Sequence, residues 1–519
     1  MIVTCSQMNQ IEAAAFARGV GATGLMEEAG RGIAGVVRQF FPKPGLLVLY
    51  LGKGNNAGDA LVAGRELQRH GWRLMARLTC EPGQMKPLPA GHWLSLGSHV
   101  ERCAEVPGFH GPLVLLDGLL GIGATGPLAG PMRALAAEMN GLRRTRHACT
   151  VAMDIPSGLN GDTGESCADA VLADITVTVD QVKTGLLADA AIDHVGRLAL
   201  VPLLELHASE DGSVPSKFSN PALLPAGTRD PGAGNTWAAR EIITSSLLRP
   251  LLPHRQFGMH KGQAGRVAII AGSPGYLGAA VLSCLGALRG GAGLITLFAK
   301  ADAYDLLAMK LPPEIMVRQV TDYAQALAGH DVVAIGPGLG FAHESEILAL
   351  LRQTAQPVVV DADALTILAR HDLAGMAGPR LLTPHPGEMA RLVAAHPGWS
   401  GLDRVTLAEA FAQEHPGTTL LLKGSRSVIA TASLPSRYNV TGNPGMATGG
   451  IGDVLTGLSA ALIAQGMSPH DAASLGSWLI GRAAEVSLSS GGRSPEALSA
   501  GDMAENLGSA FNELREGCW

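Results

Sequence analysis

The sequence is poor in charge and lacks the cysteine patterns of a disulfide framework or a zinc site. Charged residues make up 16% of its 519 residues, against a usual ~25%, while 47% are hydrophobic. This balance excludes a disordered chain. The seven cysteines are scattered, odd in number and contain no C-x-x-C pair. We therefore expect free thiols and a cytoplasmic protein.

Signals for export, membrane insertion and nucleic-acid binding are also missing. The opening residues, MIVTCSQMNQ, have no basic segment followed by an apolar one, so no signal peptide is predicted. No run of ~18 apolar residues occurs, which predicts no membrane span. The formal net charge of −6 argues against a nucleic-acid partner, because phosphate backbones require basic surfaces.

What the sequence has instead is an alternation of short apolar runs, Gly-rich breaks and amphipathic stretches. Such an alternation is typical of a parallel β-sheet covered by helices on both faces. A helix predicted to start near Thr23 precedes the first run. The runs of the first half are 46–51, 113–116, 150–153 and 175–179. Those of the second half are 267–270, 294–298, 332–335, 357–360, 381–382 and 419–422.

The alternation lapses between about 205 and 255, and 211–236 is rich in Pro, Gly and Ser. This composition is typical of a linker between domains. The sequence therefore predicts an α/β protein with two domains, 1–210 and 241–519, joined by a linker at 211–240.

In the first half, each apolar run is followed by small residues mixed with Asp, Asn, Ser or Lys. Ligands bind beyond the carboxyl ends of strands in open α/β sheets, so these segments form a candidate site. Asn56, Asp117 and Ser157 carry oxygens that could share a hard cation of low charge. The alternative is that these residue types are ordinary turn formers.

The sequence partly resembles two phosphate-binding motifs but meets the criteria of neither. Gly121, Gly123 and Gly126 spell G-x-G-x-x-G, yet they lie about 70 residues after the first predicted strand. The dinucleotide fingerprint belongs in the first strand-to-helix turn, so the match is weak. The phrase GKGNNAGD lacks the G-K-[ST] ending of a Walker loop.

The second half contains a Gly-rich loop that leads into a helix. Gly449, Gly450 and Gly452 precede a helical apolar face, so we place the helix start close to Asp453. Free N–H groups and the positive helix end form an anion site for phosphoryl oxygens. Asp453 could accept a proton from an attacking hydroxyl. The alternative is that Asp453 is only the N-cap.

Two further polar residues follow strands of the second half. Lys423 ends the phrase LLLK and could face a phosphate, although a solvated surface lysine is the default. His385 lies between two prolines in LLTPHPGE, which suggests a rigidly placed polar group. A structural histidine in a turn is the equal alternative.

Taken together, these phrases resemble a known family. The first half is similar to NAD(P)H-hydrate epimerases and the second to ADP-dependent NAD(P)H-hydrate dehydratases, which occur fused as bifunctional repair enzymes. The matching phrases in the first half are GLMEEAGRG, LGKGNNAGDALVAGREL, LLDGLLGIGATGP and AMDIPSGLNGDTG. Those in the second half are HKGQAGRVAIIAGSPGYLGAA, PEIMV, AIGPGLG, VVVDADAL, LLTPHPGE, LLLKGSRS and GNPGMATGGIGDVLTG.

The resemblance implies a fold and a reaction for each half. It implies two three-layer domains, a Rossmann-like epimerase domain and a ribokinase-like dehydratase domain. The epimerase would interconvert the R and S epimers of hydrated NADH or NADPH. The dehydratase would return the S epimer to NAD(P)H while ADP becomes AMP and phosphate. It further implies K⁺ in the first half, Mg²⁺ with ADP in the second, and a homo-oligomer.

The resemblance also implies site residues. Catalytic roles fall to Asp453, Asp154 and Lys183. The epimerase substrate would be held by Asp154 together with Asn55, Asn56, Ala57, Gly58, Asp59, Gly121, Ile122, Gly123, Ala124, Thr125, Gly126 and Pro127. The dehydratase substrate would contact Ala280, Gly338, His385 and Asp453. The nucleotide would contact Lys423, Gly424, Ser425, Arg426, Ser427 and Gly452. K⁺ would bind Asn56, Asp117 and Ser157.

The sequence departs from the family pattern at two places. The usual phrase NNGGDG is NNAGDA here, so Ala57 and Ala60 add methyl groups where the backbone could pass close to phosphate. Ile451 stands where Ser or Thr is frequent. The first departure puts the epimerase half in question, whereas the second leaves the glycines of the loop intact.

Two other functions are compatible with parts of the sequence. One is a ribokinase-like hydroxyl kinase fused to a non-catalytic nucleotide-binding domain, which would make a stable phosphate ester. The other is a two-domain NAD dehydrogenase, which the misplaced Gly fingerprint disfavours.

Overall fold

The computed structural model describes residues 2–123, 126–207, 239–371, 373, 376, 378–490 and 492–519. The chain divides into two compact units, one of 1–225 with 518–519 and one of 226–517. The predicted linker lies almost entirely outside the described residues. No helix in the described part is long and apolar enough to span a bilayer. All seven cysteines carry free thiols, as predicted.

The first unit is built on a parallel seven-stranded sheet with strand order β4-β3-β2-β5-β6-β7-β9. Its strands are β2 Leu46–Leu51, β3 Arg73–Leu78, β4 Glu101–Arg102, β5 Leu113–Gly118, β6 Cys149–Met153, β7 Ile175–Val179 and β9 Arg197–Val201. A separate two-stranded pair is formed by β1 Ile2–Val3 and β8 Val182–Lys183. The helices are α1 Cys5–Ala17, α2 Ala22–Phe40, α3 Asn55–Arg69, α4 Pro87–Leu96, α5 Gly130–Arg146 and α6 Ile192–Val195.

Alternation along β2 divides the first unit into three layers. Leu47, Leu49 and Leu51 pack in a cluster with residues of α2 and α3. Leu46 and Val48 pack in a second cluster on the other face, with residues of α5. All six residues of β2 are buried, because side chains of a central strand alternate between two covered faces. The predicted three-layer arrangement of this unit is confirmed.

The second unit contains a ten-stranded sheet with order β10-β19-β18-β17-β16-β15-β14-β11-β12-β13. Its strands are β10 Arg240–Ile242, β11 Arg266–Ile270, β12 Leu294–Ala299, β13 Met316–Gln319, β14 Val332–Ile335, β15 Val358–Val360, β16 Arg380–Leu382, β17 Thr418–Leu422, β18 Val428–Thr431 and β19 Ser436–Tyr438. The helices are α7 Ser245–Leu248, α8 Leu277–Arg289, α9 Ala301–Lys310, α10 Glu344–Gln353, α11 Ala362–Leu368, α12 Pro386–Leu392, α13 Arg404–Glu414, α14 Ile451–Ala464, α15 Pro469–Ser489 and α16 Ala500–Glu516.

The prediction of a parallel sheet holds for the strands from β11 to β17, which include all six predicted runs of this half. The sheet also contains β18, which runs antiparallel to β17 and β19, and β10, which pairs parallel with β19 at the edge. These short strands were not predicted. β10 and β19 contain charged residues such as Glu241 and Arg437, so they have no continuous apolar run to mark them.

Helix α14 lies in close contact with α8. A Cβ atom at Gly457 would lie 1.8 Å from the Ser283 carbonyl oxygen, and one at Gly286 would lie 2.1 Å from the Val454 carbonyl oxygen. Only residues without side chains allow this approach of two helix backbones. Because α14 also packs on the central strands, its first turn is held at a fixed place relative to the strand ends.

Candidate active sites

The three side chains predicted to share a cation lie together at the carboxyl edge of the first sheet. The buried Asp117 carboxylate accepts hydrogen bonds from the Ser157 amide at 2.8 Å, the Ser157 hydroxyl at 2.7 Å and the Leu119 amide at 3.2 Å. The Leu120 amide donates to the Ser157 hydroxyl at 3.1 Å. The Asn56 side chain donates to the Leu120 carbonyl at 2.6 Å. The segment after β5 thus connects all three residues.

The chemistry of this set suits a hard cation of low charge. Burial raises the pKa of Asp117 to about 6, although hydrogen bonds from Ser157 and Leu119 oppose the shift. A cation beside the carboxylate would offset that cost of burial. Within the part of the chain that the structure describes, no three His, Cys, Asp or Glu side chains converge to hold a metal ion. One carboxylate with amide and hydroxyl oxygens fits an alkali cation.

A cleft of about 390 Å³ lies beside this set. Four predicted substrate residues line it: Gly121, Ile122, Gly126 and Pro127. Ser157 and Cys5 line it as well, so the candidate cation set borders the cleft. Gly123 is exposed in the same loop. The predicted substrate residues Ala124 and Thr125 lie outside the described residues.

The predicted substrate segment from Asn55 to Asp59 forms the first turn and a half of α3. No side chain caps this helix start at Gly54, so its first amides are available to a ligand. Asn55 is exposed, but Gly58 is buried, and a Cβ there would lie 2.4 Å from the Met26 sulfur. Gly58 therefore serves the packing of α2 on α3.

The two alanines that depart from the family phrase face the core. Ala57 and Ala60 are fully buried members of the cluster between α3 and the sheet. Their methyl groups therefore do not enter the space over the helix start, where the backbone could pass close to phosphate. The concern that NNAGDA obstructs the substrate is not supported by this placement.

Replacing Ala57 or Ala60 with glycine should therefore change stability and not epimerisation. Each substitution removes a packed methyl group and a good helix former, at a cost of about 1–2 kcal/mol. Thermal unfolding should show the loss, while the rate of epimerisation stays at the wild-type value. A gain in epimerisation rate in either variant would instead show that the methyl groups obstruct the substrate.

Asp154 and Lys183, both predicted to be catalytic, form a buried ion pair. The Lys183 ammonium donates to the Asp154 carboxylate and to the Val179 carbonyl at 3.0 Å. The Asp154 carboxylate also accepts from the Val179 amide and the Thr178 hydroxyl, each at 3.2 Å. The backbone of Asp154 has a φ of +65°, a conformation that non-glycine residues adopt only where the surrounding structure imposes it.

Glu12 is a member of this group that the sequence did not reveal. Burial raises the pKa of Glu12, and the negative charges of Asp154 and Asp180 raise it further. Burial likewise raises the pKa of Asp59 well above its ordinary value, with added repulsion from Asp154 and Glu12. The site therefore holds carboxyl groups that keep protons more readily than usual. Only the pairing of β1 with β8 brings α1 here, and no local signal indicates it.

In the second unit, α14 begins at Ile451 and its N-cap is Gly450, which has a φ of +92°. The predicted start close to Asp453 was two residues late. The alternative that Asp453 is the N-cap is wrong, because Asp453 is the third residue of the helix. Gly450 provides no capping side chain, so the amides of the first turn are available for an anion.

The Asp453 carboxyl group has a proton affinity suited to a base near neutral pH. Burial, together with the charge of Asp361, raises the pKa of Asp453 to about 7. Lys423 lowers the pKa and Asp363 raises it, both to a smaller extent. A general base works best when its pKa lies near the working pH.

Lys423 lies at the first turn of α14 and not on the open surface. Its ammonium is 2.6 Å from the Asp361 carboxylate, and a Cβ at Gly452 would lie 3.3 Å from the ammonium nitrogen. The predicted nucleotide residues Lys423 and Gly452 are therefore neighbours. Asp361 stands in the phrase VVVDADAL, to which the sequence assigned no role.

His385 is the N-cap of α12. Its Nδ1 atom accepts from the Gly387 amide at 3.0 Å, and its own amide donates to the Glu388 carboxylate at 2.8 Å. About half of the His385 side chain is exposed. The ring therefore has a structural role, as in the alternative above, and it also presents an exposed edge at the strand end.

The predicted nucleotide segment after Lys423 is a tight turn between β17 and β18. The Ser427 hydroxyl donates to the Gly424 carbonyl at 3.3 Å, and Gly424 and Ser425 are exposed. The Arg404 guanidinium donates to the Arg426 carbonyl at 3.1 Å, and Arg426 is buried. The exposed part of the turn can meet a ligand, while the two arginines lie behind it.

The other predicted substrate residues lie around the start of α8. Gly338 has a φ of +58°, and a Cβ there would lie 2.9 Å from Tyr276. The Ser273 hydroxyl donates to the Gly338 carbonyl at 2.9 Å. Ala280 is fully buried and packs against Gly272, in the loop that precedes α8.

Comparison with known proteins connects this chain to an enzyme family. A family model described as NAD(P)H-hydrate dehydratase matches residues 267–505, and one described as YjeF-related protein N-terminus matches residues 22–185. The Bifunctional NAD(P)H-hydrate repair enzyme Nnr of Moorella thermoacetica is 35% identical, covering 99% of this chain and 97% of that protein. The Escherichia coli protein of the same name is 32% identical, covering 89% of this chain and 84% of that protein.

A solved structure is similar to about half of this chain. The ADP/ATP-dependent NAD(P)H-hydrate dehydratase from Bacillus subtilis, co-crystallised with ATP and Mg²⁺, is 30% identical. The match covers 53% of this chain and 99% of that chain, with a TM-score of 0.48.

The fold and the family matches together define a two-unit α/β enzyme. More specifically, the chain belongs to the family of bifunctional NAD(P)H-hydrate repair enzymes, with an epimerase unit followed by a dehydratase unit. The resemblance drawn from the sequence phrases is confirmed, and with it the prediction of a multifunctional enzyme.

Proposed function

We propose that the second unit removes water from hydrated NAD(P)H by phosphorylation followed by elimination. Asp453 takes the proton from the C6 hydroxyl of the S epimer, and the hydroxyl oxygen attacks the β-phosphorus of ADP. The bond between the β-phosphorus and the bridging oxygen breaks, and AMP leaves. The lone pair of the ring nitrogen then expels phosphate from C6, and a proton is lost as the ring double bond returns. Phosphate is a better leaving group than hydroxide.

The observation that carries this proposal is the position of Asp453 on the first turn of α14. The amides of that turn and the Lys423 ammonium supply positive charge where the transferring phosphoryl would lie. The Asp453 carboxyl group, with a pKa of about 7, belongs to the third residue of the same helix. The amides that would bind the phosphoryl group, the Lys423 ammonium and the base Asp453 thus lie together at the start of one helix.

Mg²⁺ is expected to enter with the nucleotide and to neutralise charge on its phosphates. Within the described residues no three carboxylate or histidine side chains form a metal site. The protein would therefore hold Mg²⁺ mainly through the bound phosphates. Its own residues position the nucleotide through Lys423, the turn 424–427 and Gly452.

For the first unit we propose proton transfer at C6 by the pair Asp154 and Lys183. Transient ring opening or loss of the hydroxyl would each erase the stereocentre and interconvert R and S. The carboxylate is buried beside the ammonium, and burial, together with the charge of Asp154, raises the pKa values of the nearby carboxyl groups of Asp59 and Glu12. The segments 55–59 and 121–127 would hold the nucleotide part of the substrate.

We further propose K⁺ at Asn56, Asp117 and Ser157, where it would fix the segment after β5 that borders the cleft. The domain boundaries proposed above, 1–210 and 241–519, are consistent with the two compact units. A homo-oligomeric, cytoplasmic protein without nucleic-acid or membrane partners completes the proposal.

K⁺ should stabilise the first unit in a pH-dependent way. Burial raises the pKa of Asp117 to about 6 in the folded protein, whereas its pKa in the unfolded chain is about 4. As pH rises from the lower to the higher of these values, ionisation of Asp117 therefore destabilises the cation-free fold. K⁺ favours the ionised form, so its effect on Tm should be larger near neutral pH than at about pH 5. Thermal unfolding in potassium chloride against tetramethylammonium chloride at equal ionic strength measures this.

Asp117→Asn is the matched control, since it keeps the shape of the side chain without the charge. The variant should lose the K⁺ effect at both pH values. The cation proposal is wrong if K⁺, Li⁺ and tetramethylammonium give the wild-type protein the same Tm at neutral pH.

The reaction itself is tested by mixing hydrated NADH with the protein, Mg²⁺ and either ADP or ATP. Return of the near-ultraviolet absorbance of reduced nicotinamide, together with free phosphate, supports dehydration. A stable phosphate ester without NADH would instead identify the hydroxyl kinase. Supplying only the R epimer tests the first unit, because NADH then forms only if the R epimer is first converted to S.

A further inference from the structure

Asp361 is a buried carboxylate at the centre of the dehydratase site. It follows β15 directly, is almost fully buried, and lies 2.6 Å from the Lys423 ammonium. It also accepts a hydrogen bond from the Thr456 hydroxyl at 2.7 Å. Burial by itself would raise the pKa of Asp361, but the charge of Lys423 and hydrogen bonds from Lys423, Thr456 and Thr383 outweigh it and lower the pKa. Asp361 is therefore ionised at neutral pH.

The partners of Asp361 connect three strand ends with α14. Lys423 follows β17 directly, and its ammonium also lies 4.0 Å from the Glu388 carboxylate, on the helix that follows β16. Thr456 lies one turn beyond Asp453 on the same helix, so the two side chains share a face. A Cβ at Gly452 would lie 3.5 Å from an Asp361 oxygen. The carboxylate thus contacts both the first and the second turn of α14.

We propose that Asp361 is a positioning residue of the dehydratase. Its carboxylate fixes the Lys423 ammonium and the start of α14 in the arrangement in which Asp453 accepts the proton of the substrate hydroxyl. Asp361 touches neither substrate nor nucleotide in this assignment, and it acts through Lys423, Thr456 and Asp453.

The charge of Asp361 also adjusts the base. The ionisable groups that act on Asp453 are Asp361, Lys423 and Asp363, and α14 contains no other ionisable residue. Among these charges Asp361 has the largest effect, and it favours the protonated form of Asp453. Without Asp361, the opposing Lys423 charge would hold Asp453 ionised at lower pH and would weaken it as a base.

This inference rests on the proposed role of Asp453, and the pH profile of kcat/KM separates the two. Wild-type enzyme should lose dehydratase activity on the acid side of about pH 7. Asp361→Asn should shift that acid limb to lower pH by roughly 1 unit, and the KM for ADP should rise because Lys423 loses its anchor.

Two further variants test whether a shift of the acid limb comes from charge and not from a general disturbance of the fold. Lys423→Met, assayed at saturating nucleotide, removes the opposing charge and should shift the acid limb to higher pH. Thr456→Val removes one hydrogen bond but no charge, and its acid limb should coincide with that of the wild type.

The outcomes are distinguishable. If wild-type enzyme has no acid limb near neutral pH, the general-base role of Asp453 fails. If the limb exists but Asp361→Asn lowers activity without moving it to lower pH, the positioning role of Asp361 is overturned while the base stands. Should Asp361→Asn fail to fold, Asp361→Ser, which removes the same charge, makes the same test.

Discussion

Asp453→Asn should lower dehydratase turnover at least ~100-fold, the usual contribution of a general base. The amide has the size of the carboxyl group but cannot accept the proton of the C6 hydroxyl. The helix-start amides and Lys423 are untouched, so nucleotide affinity should stay close to that of the wild type. Single-turnover formation of NADH and a separate measurement of ADP binding give the two quantities.

Asp502→Asn is the control that matches this change in local structure. Asp502 is the third residue of α16, as Asp453 is of α14, but it pairs with Arg493 on the surface. The control should keep wild-type turnover. Near-normal turnover in Asp453→Asn, or a loss of ADP binding in place of turnover, would refute the assignment.

Asp154→Asn should destabilise the first unit by about 3–5 kcal/mol, because the Lys183 ammonium is left buried without a countercharge. Lys183 has a side chain only 1% exposed, so solvent cannot replace the lost partner. The variant should also lose epimerisation while its dehydratase still acts on the S epimer. Thermal unfolding and assays with separated R and S epimers measure the three effects.

The double variant Asp154→Asn with Lys183→Met separates stability from chemistry. Replacing both charges by neutral groups of similar size should restore most of the stability, as for other buried ion pairs. Epimerisation should stay lost, since neither proton-transfer group is present. A double variant with wild-type epimerisation would show that the pair only supports the fold.

The residues predicted from the sequence share one feature, which is their position at or just beyond the carboxyl end of a strand. Asp117, Ser157 and Lys423 all follow runs of apolar residues, and parallel strands bring their carboxyl ends to one edge. The structure places Asp117 and Ser157 in direct contact and Lys423 beside Gly452. Sequence position was sufficient here because the geometry of a parallel sheet is regular.

Other members of the sites have no such signal. Glu12 reaches the first site on a helix that follows a two-residue strand, too short to be recognised from composition. Asp361 was visible at a strand end, but its partner Lys423 is 62 residues away. The strand β19 was also missed, because it contains Ser436 and Arg437 and therefore has no continuous apolar run.

The amino-acid sequence alone determined the α/β class, most of the parallel strands, the family and most residues at the strand ends, because short-range patterns of apolar and small residues encode strands, helix starts and turns. Only the tertiary structure decided that Ala57 and Ala60 face the core, that Asp154 pairs with Lys183, and which neighbours set the proton affinity of Asp453. Those properties depend on burial and on charges brought together from distant parts of the chain, and neither is a local property of the sequence.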